Sequence, residues 1–131
     1  MARKQVDQGV LVPAGTTTTQ TVGNSTISPS GQDSSIEIGG AQFLNLFFNG
    51  TSGAGTVTIQ INGWDPASKS YYNILTSAAL VGNSGFTRLR VGPLITAVAN
   101  LVALDYLPKK IQVVATVSGA VAYSIGYSVT G

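Results

Sequence analysis

The side chains that could take part in acid–base catalysis are few, and their spacing is unfavourable. Asp33 and Glu37 would share one face of a helix, but they lie among serines and next to Gly39-Gly40, where a helix is disfavoured. A glycosidase could use two carboxylates across a cleft, yet each one here is accounted for as a turn residue or a solvated charge. We therefore expect no catalytic residues and predict that the protein is not an enzyme. The five carboxylates are Asp7, Asp33, Glu37, Asp65 and Asp105.

Nucleophilic, metal and cofactor chemistry also lacks its usual residues. The sequence contains no histidine and no cysteine, so a serine has no imidazole to activate it and no thiolate can bind a metal. No Asp-x-Asp run provides the closely spaced oxygen ligands of a calcium site. The glycine-rich segment Gly50–Gly55 has neither the lysine nor the following helix of a phosphate-binding loop. We expect no metal, no cofactor and no disulfide.

Trp64, Tyr71 and Tyr72 are the residues best suited to bind a ligand by stacking. Aromatic rings near a strand end can stack on sugar rings, so a host-glycan-binding adhesin module is one alternative function. The other interpretation places Trp64 in the core and packs the two tyrosines with their hydroxyls outward. Arg88 and Arg90 share one strand face, where they could contact an anion or protect that strand from edge pairing. The sequence leaves both pairs of alternatives open.

The chain is poor in charge for a domain of 131 residues. Charged residues make up 9% of it, hydrophobic residues 44%, and the mean hydropathy is +0.28, whereas about 25% charged residues is usual. The net charge of +2 comes from seven basic and five acidic residues, and the basic ones are scattered. Nucleic-acid binding needs them on one face, so we expect none. We infer that other protein covers part of the surface.

No segment has the length of a secretory signal or a membrane span. Near the start, the apolar stretch is limited to Gly9–Val12 before Pro13, which is shorter than the roughly 7–15 residues of a secretory signal. The most apolar segment, Leu94–Leu104, is interrupted by Thr96 and Asn100, and it is well short of the roughly 18 residues that suggest a span. We expect a protein that is made in the cytoplasm and does not enter a membrane.

Apolar and polar residues alternate through much of the chain after residue 40, which predicts short β-strands. Val57, Ile59 and Ile61 alternate with polar residues, as in a half-buried antiparallel strand. Asp65-Pro66-Ala67-Ser68 is typical of a turn, and Leu94–Leu104 is expected to form a strand plus a turn. With no convincing helix, the pattern predicts an all-β fold, an antiparallel β-sandwich of jelly-roll or Ig-like type. Further strands are predicted at Phe43–Phe48, which we expect to be central, from Tyr71 onward, and at Phe86–Val91.

The first 40 residues differ in composition from residues 41–131. They are rich in threonine, as in Thr16–Thr19, and poor in large apolar side chains. Such a segment cannot form a core alone, but β-branched threonine favours extended backbone. We expect residues 1–40 to form an extended N-terminal arm that adds one or two strands to an edge of the β-sandwich domain, residues 41–131. A disordered tail is the alternative.

The C-terminal residues are predicted to form a β-hairpin that turns at Ser118-Gly119. The last strand carries large apolar residues on one face and very small residues on the other. The small face suits close contact with a neighbouring sheet or with another subunit. The apolar rows are Ile111, Val113, Ala115 and Val117, and then Val121, Tyr123, Ile125, Tyr127 and Val129; the small face is Ala122, Ser124, Gly126 and Ser128.

Several segments between Phe43 and Val129 resemble a family of small structural proteins of tailed-phage virions. Members of that family carry an Asp-Pro turn followed by an aromatic strand, an Arg-Val segment that ends in Ala-Asn, a Leu-Pro-basic turn and a closing hairpin. This chain differs in having Lys69 where glycine is usual, in the order Gly92-Pro93, and in Lys109-Lys110 where arginine is common. The matching segments, in the family's order, are Gly63–Ala79, Arg90–Asn100 and Leu107–Val113.

The resemblance implies a non-enzymatic β-sandwich protein of the virion, most often a capsid decoration (cement) protein or a minor capsid protein. Its partners would be the major capsid protein and other copies of itself in a homo-oligomer, and its location would be the capsid surface. A tail or head–tail component is the alternative within the same class. The arm would contact the capsid or an adjacent copy, because strand addition makes few demands on sequence, and many copies would turn weak contacts into firm attachment.

Overall fold

A computed structural model describes residues 5–22, 36–37, 43–108 and 110–130. Within these ranges there is no helix, and hence none with the length and apolar character that crossing a bilayer requires. The strands are β1 (Gln5–Thr16), β2 (Gln20–Val22), β3 (Ile36–Glu37), β4 (Phe43–Ser52), β5 (Thr56–Asp65), β6 (Ser70–Thr76), β7 (Leu80–Val81), β8 (Gly85–Gly92), β9 (Val102–Leu104), β10 (Lys110–Ser118) and β11 (Ala122–Thr130).

The strands form two sheets that enclose one core. The five-stranded sheet has the order β1-β11-β4-β8-β9, and the six-stranded sheet has the order β2-β10-β5-β6, with β3 also pairing with β10 and β7 with β5. The described pairs are antiparallel except that of β8 with β9, which is parallel. The all-β fold expected from the sequence, an antiparallel β-sandwich, is confirmed.

The core is made by alternate residues of strands from both sheets. Val57, Ile59 and Ile61 of β5 are fully buried, as their alternation with polar residues predicted. Strand β4 lies between β11 and β8, so its predicted central position is confirmed. Each large apolar side chain removed from water contributes about 1.5–3 kcal/mol. Other core residues are Val12, Leu44, Leu46, Phe48, Leu89, Val91, Ile111, Val113, Ala115, Tyr123, Ile125 and Val129.

The described part of the N-terminal segment is built into both sheets. Strand β1 pairs with β11 and β2 pairs with β10, so residues 5–22 add strands at sheet edges as expected. A register shift lets Val12 lie in the core while Val10 stays 72% exposed. The Tyr123 hydroxyl donates to the Thr18 carbonyl oxygen at 2.7 Å, and burial raises the pKa of Tyr123 because it disfavours the phenolate. The expected boundary near residue 40 lies outside the described residues.

The predicted C-terminal hairpin is wrong. Strand β10 belongs to the six-stranded sheet and β11 to the five-stranded sheet, so the chain crosses between sheets after Ser118. The two apolar rows therefore face each other across the core, with Val113 and Ile125 both buried in it. Residues alternate with period two in a hairpin and in such a crossing alike. The sequence pattern consequently did not distinguish the two connections.

Two glycines allow the connection between β4 and β5 to pack directly on this crossing. Gly53 has a φ of 95°, and a Cβ atom there would lie 2.1 Å from the carbonyl oxygen of Ala120. The backbone N–H of Gly55 donates to that same carbonyl oxygen at 2.9 Å. Close backbone contact at this end of the sandwich thus depends on the absence of side chains.

The stretch from Pro93 to Leu104 forms turns followed by the short strand β9, as the sequence predicted. Leu94 has a φ of 63° and Asn100 a φ of 64°, both in the left-handed region. The Asn100 side chain compensates by donating from Nδ2 to the Thr76 carbonyl oxygen at 3.0 Å. The parallel pairing of β9 with β8 was not foreseen.

Candidate protein-interaction surface

The carboxylate of Asp65 accepts hydrogen bonds within a turn. The hairpin that joins β5 to β6 begins with this residue, as predicted. Its Oδ1 accepts from the backbone N–H of Ala67 at 3.0 Å, and its Oδ2 accepts from the Ser68 hydroxyl at 2.7 Å. The hydrogen bond from Ser68, followed by that from Ala67, holds the pKa of Asp65 below its ordinary value. Lys69 follows with a φ of 55°, the conformation usual for glycine.

The other carboxylates lie apart on different elements. Asp7 lies in β1 and Glu37 in β3, while Asp105 follows β9 and accepts from the backbone N–H of Tyr106 at 2.8 Å. Asp33, which would share a face with Glu37 only in a helix that the sequence disfavours, lies outside the described residues. Among the described residues, no group of three or more acidic, histidine or cysteine side chains is placed to hold a metal ion.

The three aromatic residues weighed as a sugar-stacking site do not form one platform. Trp64 and Tyr71 pair across β5 and β6, with ring centroids 5.0 Å apart and an angle of 63° between the ring planes. The Lys110 ammonium lies over the Trp64 ring, 5.3 Å from its centroid. Tyr72 points to the opposite side of β6, where its ring covers Gly63. A sugar stacking on Trp64 would have to compete with Lys110 for that ring.

Beside the Trp64–Tyr71 pair, the outward face of the six-stranded sheet carries a row of hydrogen-bonded polar side chains. Asn62 of β5 donates from Nδ2 to Oε1 of Gln112 on β10 at 3.0 Å, and its Oδ1 accepts from Nδ2 of Asn73 on β6 at 3.1 Å. The Thr76 hydroxyl donates to Oδ1 of Asn73 at 3.2 Å. These bonds form a ladder across three strands whose polar groups are paired with one another. This face is suited to contact with water.

The outward face of the five-stranded sheet exposes a cluster of large apolar side chains. Val10 on β1, Phe47 on β4 and Phe86 on β8 are exposed by 72%, 38% and 79% respectively. Between β1 and β4 lies β11, which contributes Ser124 and Gly126 to this side. We call the surface made by these five residues the apolar face. The predicted small side of the last strand thus forms its centre, and the other sheet does not cover it.

Gly126 lies at the base of a groove in the apolar face. The register pairs Gly126 with Val10 on one side and with Phe47 on the other. A Cβ atom on Gly126 would lie 3.6 Å from the Gly9 carbonyl oxygen and 3.9 Å from Phe47, which is ordinary contact distance. The groove has a volume of about 280 Å³. The large side chains of Val10 on β1 and Phe47 on β4 flank the small outward-facing residues of β11, and this difference in size creates the depression.

Two arginines border the apolar face on β8. Arg88 is the cross-strand neighbour of Phe47, and Arg90 is the neighbour of Asn45 on β4 and of Val102 on β9. Strand β9 pairs only with the end of β8 from Arg90 onward, so the sheet is open beside Arg88 in the part of the chain that the structure describes. This position fits the expectation of charges at a strand edge.

The loop between β8 and β9 extends this exposed apolar surface. Leu94 is 88% exposed and, with Leu104, Asp105 and Tyr106, lines a depression of about 320 Å³. Ile95 lines a second depression of about 120 Å³ together with Arg90. The exposed surface of this loop is therefore continuous with Arg90 at the border of the apolar face. The sequence signal for it was the absence of charged residues from Val91 to Leu104.

Sequence reasoning did not identify the exposed apolar residues of this surface. Phe86 has the same parity along β8 as the two arginines, and Phe47 has the same parity as Asn45 and Asn49. Large apolar residues at positions that alternate as solvent-facing are the signal that would have marked them. A scan against protein-family models and a search of curated proteins both find no match for the chain. The likeness to phage virion proteins therefore rests on the short motifs themselves.

Proposed function

We propose that the protein is a non-enzymatic structural component of a bacteriophage virion, a capsid decoration or minor capsid protein. It is made in the host cytoplasm and binds the head surface through protein–protein contacts, alongside further copies of itself. The observation that carries this proposal is the contrast between the two outward sheet faces. One is a hydrogen-bonded polar ladder, and the other presents Val10, Phe47 and Phe86 to solvent.

Contiguous exposed apolar residues favour a protein-binding role. Isolated apolar side chains are common on protein surfaces, but a contiguous patch with polar surroundings is typical of an interaction site. The aromatic side chains of Phe47 and Phe86 are also the type enriched at the centres of interfaces. Low overall charge, 9% of residues, agrees with a chain of which part is covered in its assembled state.

The N-terminal arm takes part in the proposed attachment through β1. Val10 belongs to that strand, and the register shift beside it turns its side chain to the apolar face. Deletion of residues 1–40 would test this role, but it would also remove Val12 from the core and an edge strand from the sheet. Single substitutions at exposed positions test attachment without that loss of core.

The proposal is tested by co-sedimentation with purified phage heads that lack this chain. Wild-type protein is expected to bind the heads, and Val10→Ser combined with Phe86→Ser is expected to weaken binding by roughly tenfold or more, since central apolar contacts dominate interface energy. Val81→Ser is the matched control, because Val81 is an exposed valine on β7 of the other sheet. Failure of the wild-type chain to bind heads would contradict the proposed role.

The same purified protein separates the remaining alternatives. Binding to isolated tails in place of heads would identify a tail or head–tail component. A glycan array tests the adhesin alternative, with Trp64→Ala as its control. We expect no binding that depends on Trp64, because Lys110 already lies over its ring.

A further inference from the structure

The two arginines at the border of the apolar face constrain what can bind there. Arg88 and Arg90 are two residues apart on β8, so their side chains leave the same side of the sheet about 7 Å from each other. The row Val10, Gly126, Phe47 and Arg88 crosses four neighbouring strands. The groove and the positive charge are therefore parts of one surface.

Asp105 lies just beyond β9, beside Leu94, and among the described side chains of the five-stranded sheet itself none is acidic and could balance the two arginines. Their cross-strand neighbours are Phe47, Asn45 and Val102. Among the side chains that the structure describes on this face, the only charged ones are Arg88 and Arg90. A partner that covers the face removes the guanidinium groups of Arg88 and Arg90 from water. Unless that partner supplies carboxylates as counter-charges, this desolvation costs binding free energy.

The side chains described on this face give a second copy of the chain no carboxylate to supply through the same face. In a two-fold contact the same surface meets itself. If the two-fold axis passed near β8, Arg88 and Arg90 would face the same arginines of the other copy. If the axis lay far from β8, they would face β1 of the other copy, whose described side chains on the apolar face include Gln8 and Val10. Like charges at an interface disfavour that pairing. The other copies that we expect in a homo-oligomer therefore meet elsewhere.

The shape of the groove favours an extended protein segment. Its base runs along β11 from Ser124 to Gly126, and an adjoining depression beside Gly126 and Tyr127 continues it. Val10 flanks the base on one side and Phe47 on the other. An extended segment placed along β11 would direct alternate side chains into the groove, and a segment beside β8 would approach the arginines.

We infer that the apolar face binds an extended protein segment that combines apolar side chains with carboxylates, the apolar ones seated over Gly126 and the carboxylates paired with Arg88 and Arg90. This inference rests on the proposed function, for which it specifies the chemistry of the partner's contact segment. Bidentate pairing of guanidinium with carboxylate fixes the orientation of that segment.

A display library of random peptides, selected on the immobilised full-length chain, tests the inference. We expect selected peptides to combine acidic and apolar residues. Binding of a selected peptide should weaken roughly tenfold or more in Arg88→Gln with Arg90→Gln, and also in Phe86→Ser. Lys69→Gln is the matched control, because Lys69 is an exposed cation in the hairpin between β5 and β6. Gly126→Ala fills the base of the groove and should weaken binding while the chain stays folded.

Three results would overturn the inference. The first is a selection that yields no peptide dependent on this face, or only peptides without acidic residues. The second is unchanged affinity in the double arginine variant. The third is a concentration-dependent dimer, seen by light scattering, that Phe86→Ser abolishes, because a second copy would then be the occupant.

Head binding separates this inference from the proposed function. If heads bind the wild-type chain and the double arginine variant equally, the inference that the partner's segment carries carboxylates is wrong, while the proposed structural role stands. If acidic apolar peptides bind the face while heads do not bind the chain, the structural role is wrong and the recognition chemistry stands.

Discussion

At the scale of single residues, the carboxylate of Asp65 stabilises a turn. Both carboxylate oxygens of Asp65 accept hydrogen bonds within its own hairpin. The hydroxyl of Ser68 also lies 2.7 Å from that of Ser70, so the turn contains a small polar network. Stabilisation of the ionised carboxylate is the physical cause of the lowered pKa of Asp65.

Ser68→Ala should lower the thermal midpoint of unfolding at pH 7 and have a smaller effect in acid. Because the pKa of Asp65 in the folded chain lies below its ordinary value of 3.8, its hydrogen bonds contribute stability above that pH. The contribution is lost as the pH falls through the folded-state pKa, where the carboxylate becomes protonated. Circular dichroism melting curves at pH 7 and near pH 2 measure the difference.

Ser84→Ala is the control for this prediction. The Ser84 hydroxyl donates to the Val81 carbonyl oxygen at 2.7 Å, and no carboxylate takes part in that bond. Its substitution should therefore shift the midpoint similarly at both pH values relative to wild type. An effect of Ser68→Ala that is the same in neutral and acidic solution would contradict the role given to Asp65.

At the scale of elements, the sequence predicted strands and their inward faces better than it predicted their neighbours. Alternation identified Val57, Ile59 and Ile61 as core residues because the period of two fixes the side of each residue. It did not fix which sheet a strand joins, and so β10 and β11 were wrongly paired. Where the chain crosses between the sheets, Ala120 is in backbone contact with Gly53 and Gly55, which are far away in the sequence, and alternation gives no sign of such a contact.

The candidate surface was predictable only in part, for the same reason. From its residues alone, the small side of β11 was predicted to suit close contact with a neighbouring sheet or another subunit, and the contact with another subunit stays a prediction. Val10, Phe47 and Phe86 join it because β1, β11, β4 and β8 are adjacent in the sheet. Their positions in the sequence are far apart, and alternation within one strand carries no information about that order.

Leu94→Gly should stabilise the fold and weaken attachment. A left-handed conformation costs a residue with a Cβ atom about 1–2 kcal/mol, and the greater freedom of glycine in the unfolded chain offsets about 0.5–1 kcal/mol of the gain. A net increase of about 0.5–1 kcal/mol in the free energy of unfolding is expected from denaturant titration. Head binding should fall, because the substitution removes an apolar side chain that is 88% exposed.

Asn100→Gly is the comparison for the loop, because Asn100 has nearly the same φ but makes a side-chain hydrogen bond to Thr76. It should gain less stability than Leu94→Gly, or lose some. The account holds that the left-handed backbone at Leu94 is strained and that its exposed side chain contributes to attachment. A decrease in stability on Leu94→Gly, or undiminished attachment, would contradict it.

At the scale of the whole molecule, the sandwich has two unlike outer faces. The face with Gln112, Asn62 and Asn73 satisfies its polar groups by internal hydrogen bonds. The apolar face leaves large side chains exposed beside two arginines. Val10, Phe47 and Phe86 are thus gathered on one side of the sandwich, which fits the proposed attachment to a larger protein shell.

Cryo-electron microscopy of the intact phage particle tests this central claim most directly. The account predicts density for the sandwich on the particle, with Val10, Phe47 and Phe86 buried against another protein and the Gln112–Asn62–Asn73 ladder facing solvent. Particles that lack the chain, or a bound chain whose apolar face lies open to solvent, would contradict it.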